Sequence, residues 1–280
     1  MPRLSSVEVG DLLVILDNFR LDGKVAVVTG GGQGIGRGIA IGLAEAGADV
    51  VVGARTRADL DEVVARIEET GRRGVAVVTD VLEAEDRERL VATAVEQLGR
   101  LDVLVNNAGG TGPRAAMQTS ERFFDMAMKF NVTSPFLMSQ LAAQAMVDTA
   151  GAGSIVNISS RSADLVMPSF AAYGAGKAAL NQLTRNLAVE LAPLVRVNAI
   201  GVGGVATKGL EVVLTDDSLR AQFEANTPMH RPGQPDDIAC AALYFASPAS
   251  AWVTGKLLQV DGGTERPSME VPVPPLVPNG

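Results

Sequence analysis

The chain is 280 residues long, 47% hydrophobic, with a formal net charge of −8 at neutral pH. That length and apolar content permit one large α/β domain or two small ones, and the acidic balance, with no Lys/Arg run, excludes a surface that tracks nucleic-acid phosphates. A single cysteine, Cys240, rules out an intramolecular disulfide and fits a reducing compartment; with one histidine, His230, no metal site is expected.

Cys240 reads as a small core filler on a helix, and His230 as structural or substrate-adjacent. The apolar run from Leu12 to Leu16, flanked by Asp11 and Asp17, is too short for a secretory signal, and no stretch approaches the roughly 20 apolar residues of a membrane span, so a cytoplasmic protein is expected.

Residues 1–20 precede the first clear strand and read as an N-terminal extension. Its Leu12, Leu13, Ile15, Leu16 and Phe19 could dock a short helix on the body or on a neighbouring subunit. Val25-Ala26-Val27-Val28 is a buried-strand run. The turn T-G-G-G-Q-G-I-G, residues 29–36, follows directly, and Ile39, Ala40, Leu43, Ala44 and Ala46 then keep helical spacing up to Gly47. Strand, glycine-rich turn and helix form the geometry in which backbone N–H groups receive a pyrophosphate, so Gly30, Gly34, Ile35 and Gly36 are cofactor-binding candidates. The spacing is T-G-x-x-x-G-x-G rather than G-x-G-x-x-G, and without its flanking elements it would signify only a flexible turn.

Residues 49–53 give a second strand. An acidic residue at its end would hold a ribose 2′-hydroxyl, but the chain offers Ala54, Arg55 and Thr56. A guanidinium pairs with a 2′-phosphate, and no carboxylate is expected at that turn to repel it. NADP(H) is therefore expected over NAD(H), the alternative being a solvated arginine at a helix start. Arg37 is a second candidate for the phosphate, or a surface residue.

Leu60, Val63, Val64 and Ile67 mark a helix, and residues 75–79 a third strand ending at Asp80-Val81, both cofactor candidates. Asp80 either accepts a hydrogen bond from an adenine amino group or caps the helix containing Leu90, Val91 and Val95. Residues 102–105 form a fourth strand closed by Asn106-Asn107-Ala108-Gly109. Asn107, Ala108 and Gly109 let backbone approach a flat cofactor, while the amides can tie neighbouring strands together. A long helix carrying Phe123, Phe124, Met126, Met128 and Phe130 then leads to Asn131, a structural amide or part of a polar relay.

Ile155-Val156-Asn157-Ile158-Ser159 is a buried strand, with Ser160 at its end. Tyr173 and Lys177 lie four apart in a run of good helix formers and should share a face. A neighbouring ammonium favours the phenolate, so Lys177 is expected to lower the Tyr173 pKa enough for proton exchange with an alcohol or carbonyl oxygen. Tyr-x-x-x-Lys alone is weak evidence, since such pairs usually mean a packed ring and a solvated charge.

Residues 195–200 give another strand. The loop 201–207 could pass a nicotinamide carboxamide, with Gly203, Val205 and Thr207 as candidates. Residues 208–230, with Leu210, Val212, Val213, Leu214, Phe223 and Met229, form either a lid over an apolar substrate or an ordinary surface helix pair. A helix over 236–245, a last strand over 256–260 and a proline-rich extended tail complete the chain.

Unbroken strand–helix alternation predicts an α/β fold: a single-domain Rossmann-type doubly wound parallel sheet with helices on both faces. Thr29-Gly30-x-x-x-Gly34-x-Gly36, Asn106-Asn107-Ala108-Gly109, Asn131, Ser160 and Tyr173-x-x-x-Lys177, in this order and spacing, resemble the short-chain dehydrogenase/reductase family over residues 21–263, leaving 1–20 and 264–280 as extension and tail. Leu21-Asp22-Gly23-Lys24, residues 107–113, Thr227-Pro228 and Arg231-x-Gly233-Gln234-Pro235-x-Asp237-Ile238-Ala239 look most like members such as the bacterial 7α-hydroxysteroid dehydrogenases.

The resemblance implies catalytic roles for Asn131, Ser160, Tyr173 and Lys177. Tyr173 would exchange the proton, and Lys177 would lower its pKa and bind the nicotinamide ribose. Ser160 would steady the substrate oxygen, and Asn131 would hold a water linking Lys177 to solvent. It further implies a homotetramer, packed through the helices bearing Asn131 and Tyr173. One departure stands out: Val202-Gly203 replaces the family's usual proline-glycine, which puts the stiffness of that loop in question.

The expected function is hydride transfer between NADP(H) and a secondary alcohol or ketone, with a hydroxysteroid or other alicyclic compound as the expected small-molecule partner. The alternatives are a 3-oxoacyl-carrier-protein reductase, which the net acidity disfavours, and a non-catalytic nucleotide-sensing protein.

Overall fold

Runs of β-branched residues bounded by glycine give strands buried on both faces, which only a helix-covered parallel sheet accommodates. A computed structural model describes residues 14–269, 271 and 273–276, apart from the side chains of Val212 and Val213. Among these residues the strands are β1 Val25–Thr29, β2 Asp49–Ala54, β3 Gly74–Val78, β4 Val103–Asn106, β5 Gly153–Ser160, β6 Val195–Val202 and β7 Leu257–Val260. They form one seven-stranded sheet, ordered β3-β2-β1-β4-β5-β6-β7, with every pairing parallel.

The helices are α1 Gly34–Glu45, α2 Arg57–Glu69, α3 Ala84–Leu98, α4 Glu121–Met128, α5 Ser134–Ala150, α6 Ala171–Glu190, α7 Glu211–Thr215, α8 Asp217–Asn226 and α9 Pro235–Ala246. Alternation along β1 divides the core in two. Ala26 and Val28 join Ile39, Leu43, Ile238 and Phe245 of α1 and α9, whereas Val25 and Val27 join Leu90, Met138 and Met146 of α3 and α5. Helices α1 and α9 touch through glycine: a Cβ on Gly38 would lie 2.8 Å from Pro235 Cβ.

The chain runs from β1 outward to β3, then returns to β4 on the other side of β1. The crevice above the carboxyl ends of β1 and β4 is the topological switch point where such sheets bind ligands. A polar ladder buttresses its floor. Asn106 Nδ2 donates to Asn157 Oδ1 (2.9 Å) and Ser139 Oγ (3.1 Å), and Asn157 Nδ2 donates to Thr184 Oγ1 (2.9 Å), linking β4, β5, α5 and α6.

Two expectations need correction. The predicted long helix before Asn131 ends at Met128, and a π-helical turn, Lys129–Thr133, separates it from α5. Phe124 and Met126 of α4 are exposed, and residues two apart on a helix project from different faces. Cys240 is exposed rather than a core filler: α9 buries Ile238, Ala239, Ala241, Ala242 and Phe245, and position 240 falls on the opposite face.

His230 is exposed in a left-handed backbone (φ 50°), its Nδ1 3.1 Å from the Glu224 carbonyl oxygen. In the N-terminal segment Ile15–Phe19 is a 3-10 turn whose Phe19 ring lies 6.4 Å from that of Tyr244, with Ile15 and Leu16 exposed. Leu12 and Leu13 lie outside the described residues, as do 270, 272 and 277–280 of the tail.

Candidate active site

The glycine turn after β1 is shaped by contacts that exclude side chains. Gly30 has φ +63°, and a Cβ on Gly36 would sit 2.2 Å from the Gly30 carbonyl oxygen. Asn107 Nδ2 donates to the carbonyl oxygens of Thr29 and Gly30, both at 3.0 Å. Thr29 Oγ1 accepts from the backbone N–H groups of Asn107 and Ala108, also at 3.0 Å, locking this turn to the loop after β4. Gln33, at the N-cap of α1, provides no side-chain acceptor, which leaves first-turn N–H groups for an anion.

A cleft of about 760 Å³ opens above this turn. The fold gathers there Gly30, Gly34, Ile35, Gly36, Arg55, Asp80, Val81, Asn107, Ala108, Gly109, Gly203, Val205 and Thr207, together with Ser160, Tyr173 and Lys177. Its size and glycine-lined cradle fit a dinucleotide.

At one end lies the arm containing Arg55, which is exposed and, among the described residues, makes no hydrogen bond or ion pair. That arm is not free of carboxylates, as the sequence suggested: Asp59, one turn into α2, lines it and packs near Gly32. Arg37 lies outside the cleft lining, 3.9 Å from Glu62. Asp80 does not cap α3. Its Oδ1 accepts from Leu82 N (3.0 Å), closing its own turn, while Asp86 Oδ2 accepts from Asp80 N (2.7 Å).

At the other end Lys177 and Asn131 are buried, while Ser160 and Tyr173 are half-buried. Lys177 is only 4% exposed, and its Nζ donates to the Ile158 carbonyl oxygen at 2.8 Å. Asn131, wholly buried, accepts from Gly110 N at 2.8 Å and donates to the Ala127 carbonyl oxygen at 2.9 Å. It stands one layer behind the cleft: a Cβ on Gly109 would meet both Asn131 Oδ1 (3.0 Å) and Lys177 Nζ (3.1 Å). Gly176 of α6 lets the backbone approach Asn131, its built Cβ lying 3.3 Å from that of Asn131. Ser160, at the end of β5, accepts from Ser162 through both its N–H (3.2 Å) and its hydroxyl (3.0 Å).

The expected titration of Tyr173 is reversed. Burial raises its pKa, because a phenolate loses solvation in the cleft, and a hydrogen bond with Ser160 opposes this without overcoming it. Lys177 does not offset the rise: its Nζ is 5.7 Å from the ring centroid and bonded to Ile158. Burial also lowers Lys177, to about 8.

The sequence reading missed Arg161, which answers the question raised by Val202-Gly203. Buried beside Ser160, its guanidinium pairs with Asp261 at 2.7 Å and donates to the Thr264 carbonyl oxygen at 2.9 Å. A Cβ on Gly203 would lie 2.7 Å from Asp261 Cα, so the Gly203 loop rests on a turn that Arg161 fastens to β5. Of residues 208–226, Lys208, Gly209 and Leu210 line the cleft, and Phe223 is buried against Gly204. Among the described residues no cluster of side chains could hold a metal ion, and no helix is long and apolar enough to cross a membrane.

A family model described as enoyl-(acyl carrier protein) reductase matches residues 30–265. An uncharacterized oxidoreductase of Mycobacterium tuberculosis (strain CDC 1551 / Oshkosh) is 47% identical, over 94% of this chain and 100% of that protein. The structure of a 7α-hydroxysteroid dehydrogenase complexed with NADH and 7-oxo glycochenodeoxycholic acid superposes with a TM-score of 0.85 at 40% identity, covering 89% of this chain and 97% of the other. A gluconate 5-dehydrogenase from Burkholderia cenocepacia J2315, in complex with NADP and tartrate, gives 0.83 at 33%, covering 89% and 98%. Fold, motif order and relatives agree: the chain belongs to the short-chain dehydrogenase/reductase family of oxidoreductases acting on CH–OH groups.

Proposed function

We propose that the protein passes a hydride between NADP(H) and a secondary alcohol or ketone, with a hydroxysteroid or other alicyclic compound as substrate. The observation that carries this is the convergence of Ser160, Tyr173 and Lys177 in the cleft whose other end is the glycine cradle. A bound nicotinamide supplies the hydride donor or acceptor. The chain's own residues handle the oxygen. Ser160 donates to the substrate oxygen, and Tyr173 gives up its phenolic proton during reduction or takes one during oxidation. Lys177, held by the Ile158 carbonyl, binds the cofactor ribose, and Asn131 fixes the Gly109–Gly110 backbone beside it. With its pKa raised, the Tyr173 phenol keeps its proton at neutral pH and can donate it during reduction.

The exposed, unpaired Arg55 supports NADP(H), with Asp59 as the opposing group in the same arm. Met126, Phe130 and Leu210 supply apolar lining for a bulky substrate, in keeping with the steroid bound by one structural relative. Residues 21–263 act as the catalytic domain, with 1–20 and 264–280 as appended segments. Exposed Phe124, Val147 and Trp252 are apolar surface that a homotetramer would cover, and the protein works in the cytoplasm on small molecules.

The test is turnover by the purified protein with NAD and NADP against hydroxysteroids, cyclic alcohols, sugar acids and 3-oxoacyl thioesters. Oxidation of hydroxysteroids with NADP is expected. Activity confined to sugar acids or acyl thioesters would refute the substrate assignment.

A further inference from the structure

A serine hydroxyl has two acceptor positions and one proton. At Ser160 both acceptor positions are filled from a single residue, Ser162, by its backbone N–H at 3.2 Å and its hydroxyl at 3.0 Å. Ser162 is 7% exposed, in the 3-10 turn Arg161–Ala163 that directly follows β5, and this turn is fastened by the Arg161–Asp261 ion pair. With its lone pairs occupied, Ser160 can use only its proton toward the cleft, where Tyr173 lies within hydrogen-bonding reach.

We infer that Ser162 is a positioning residue that makes Ser160 a one-way hydrogen-bond donor to Tyr173 and to the substrate oxygen. A hydroxyl that accepts two hydrogen bonds is polarised and becomes a stronger donor. Charge builds on the substrate oxygen in the transition state, so the gain falls on kcat rather than on ground-state binding. Without the Ser162 hydroxyl, Ser160 could turn its own proton away from the cleft and accept instead.

The role in turnover rests on the proposed function; the effect on Tyr173 does not, and the experiment separates them. The chain has two tyrosines, Tyr173 and Tyr244, so 13Cζ-tyrosine NMR follows Tyr173 directly, with Tyr173→Phe assigning its signal. Lys177 lies 5.7 Å from the ring, and Arg55, Asp59, Asp80 and Lys208 line the same cleft; all are unchanged in the variants. Ser162→Ala should raise the Tyr173 midpoint by about half a pH unit or more, as expected for losing one hydrogen bond's influence. Ser162→Thr, which keeps the hydroxyl, should restore it.

On whichever substrate the wild type turns over, Ser162→Ala should lower kcat roughly fivefold with KM within about twofold, and Ser162→Thr should recover the rate. Should Ser162→Ala fail to fold, Ser162→Cys, with its weak donor, takes its place. A Tyr173 midpoint unmoved in a folded variant overturns the assignment whatever the turnover. A shifted midpoint in a protein silent on every substrate removes the proposed function and leaves the Ser162 assignment standing.

Discussion

The two ends of the cleft are built on opposite principles. At the Tyr173 end of the cleft Lys177, Asn131 and Ser160 are each held by partners from β5, the β4 loop or the turn after Ser160. At the other end Arg55 is exposed and without a partner among the described residues, with Asp59 lining the same arm. Chemistry that needs sub-ångström placement sits where the backbone over-determines each side chain. Under the proposed function, the choice between NADP(H) and NAD(H) would rest on the single exposed charge of Arg55, because a 2′-phosphate needs only a cation within reach.

Changes to the cradle and the buried end should therefore be severe, and changes to the open end graded. Gly36→Ala is the harshest, since its methyl would sit 2.2 Å from a backbone carbonyl oxygen that cannot move without opening the turn. We predict loss of measurable cofactor binding by fluorescence titration; binding within a few-fold of wild type would show that the turn is not tightly packed. Arg161→Met strands Asp261 without its buried partner and should cost roughly 3–5 kcal/mol in denaturant unfolding, with weaker nicotinamide binding through the Gly203 loop. A loss under about 1 kcal/mol would place the ion pair among surface pairs.

Lys177 gives a pH test. Burial lowers it to about 8, below its ordinary value of 10.5. Between those values the unfolded chain carries the proton and the folded protein does not, so this group's contribution makes stability rise with pH across that window. Lys177→Met should remove that rise while abolishing turnover; an unchanged pH dependence of melting would mean the ammonium is better solvated than its burial implies. The smallest effect belongs to Arg55→Ala, which should weaken NADPH about tenfold and NADH little. Equal losses would assign the 2′-phosphate elsewhere.

What the sequence disclosed divides along the same line. The strand, glycine turn and helix from Val25 to Ala46 were legible because the contacts that shape them are local, and the Tyr173–Lys177 spacing follows from helix geometry alone. Ser162 and Arg161 escaped notice because their significance comes from Ser160 and from Asp261, the latter a hundred residues onward in the chain. Asp59 sits within a turn of Arg55, but its place in the cleft depends on how α2 packs beside Gly32, which chain spacing does not report. The sign of the Tyr173 shift was missed because spacing reports a neighbouring charge, whereas the loss of water around the ring depends on everything packed over it.

The proposed chemistry turns on Tyr173 as the group that moves the proton. Its most direct test is to compare wild type and Tyr173→Phe for reduced-nicotinamide turnover on the best substrate, alongside cofactor affinity. A fall of roughly 10²–10⁴-fold in kcat with cofactor binding unchanged is expected. Retention of most of the turnover would contradict it.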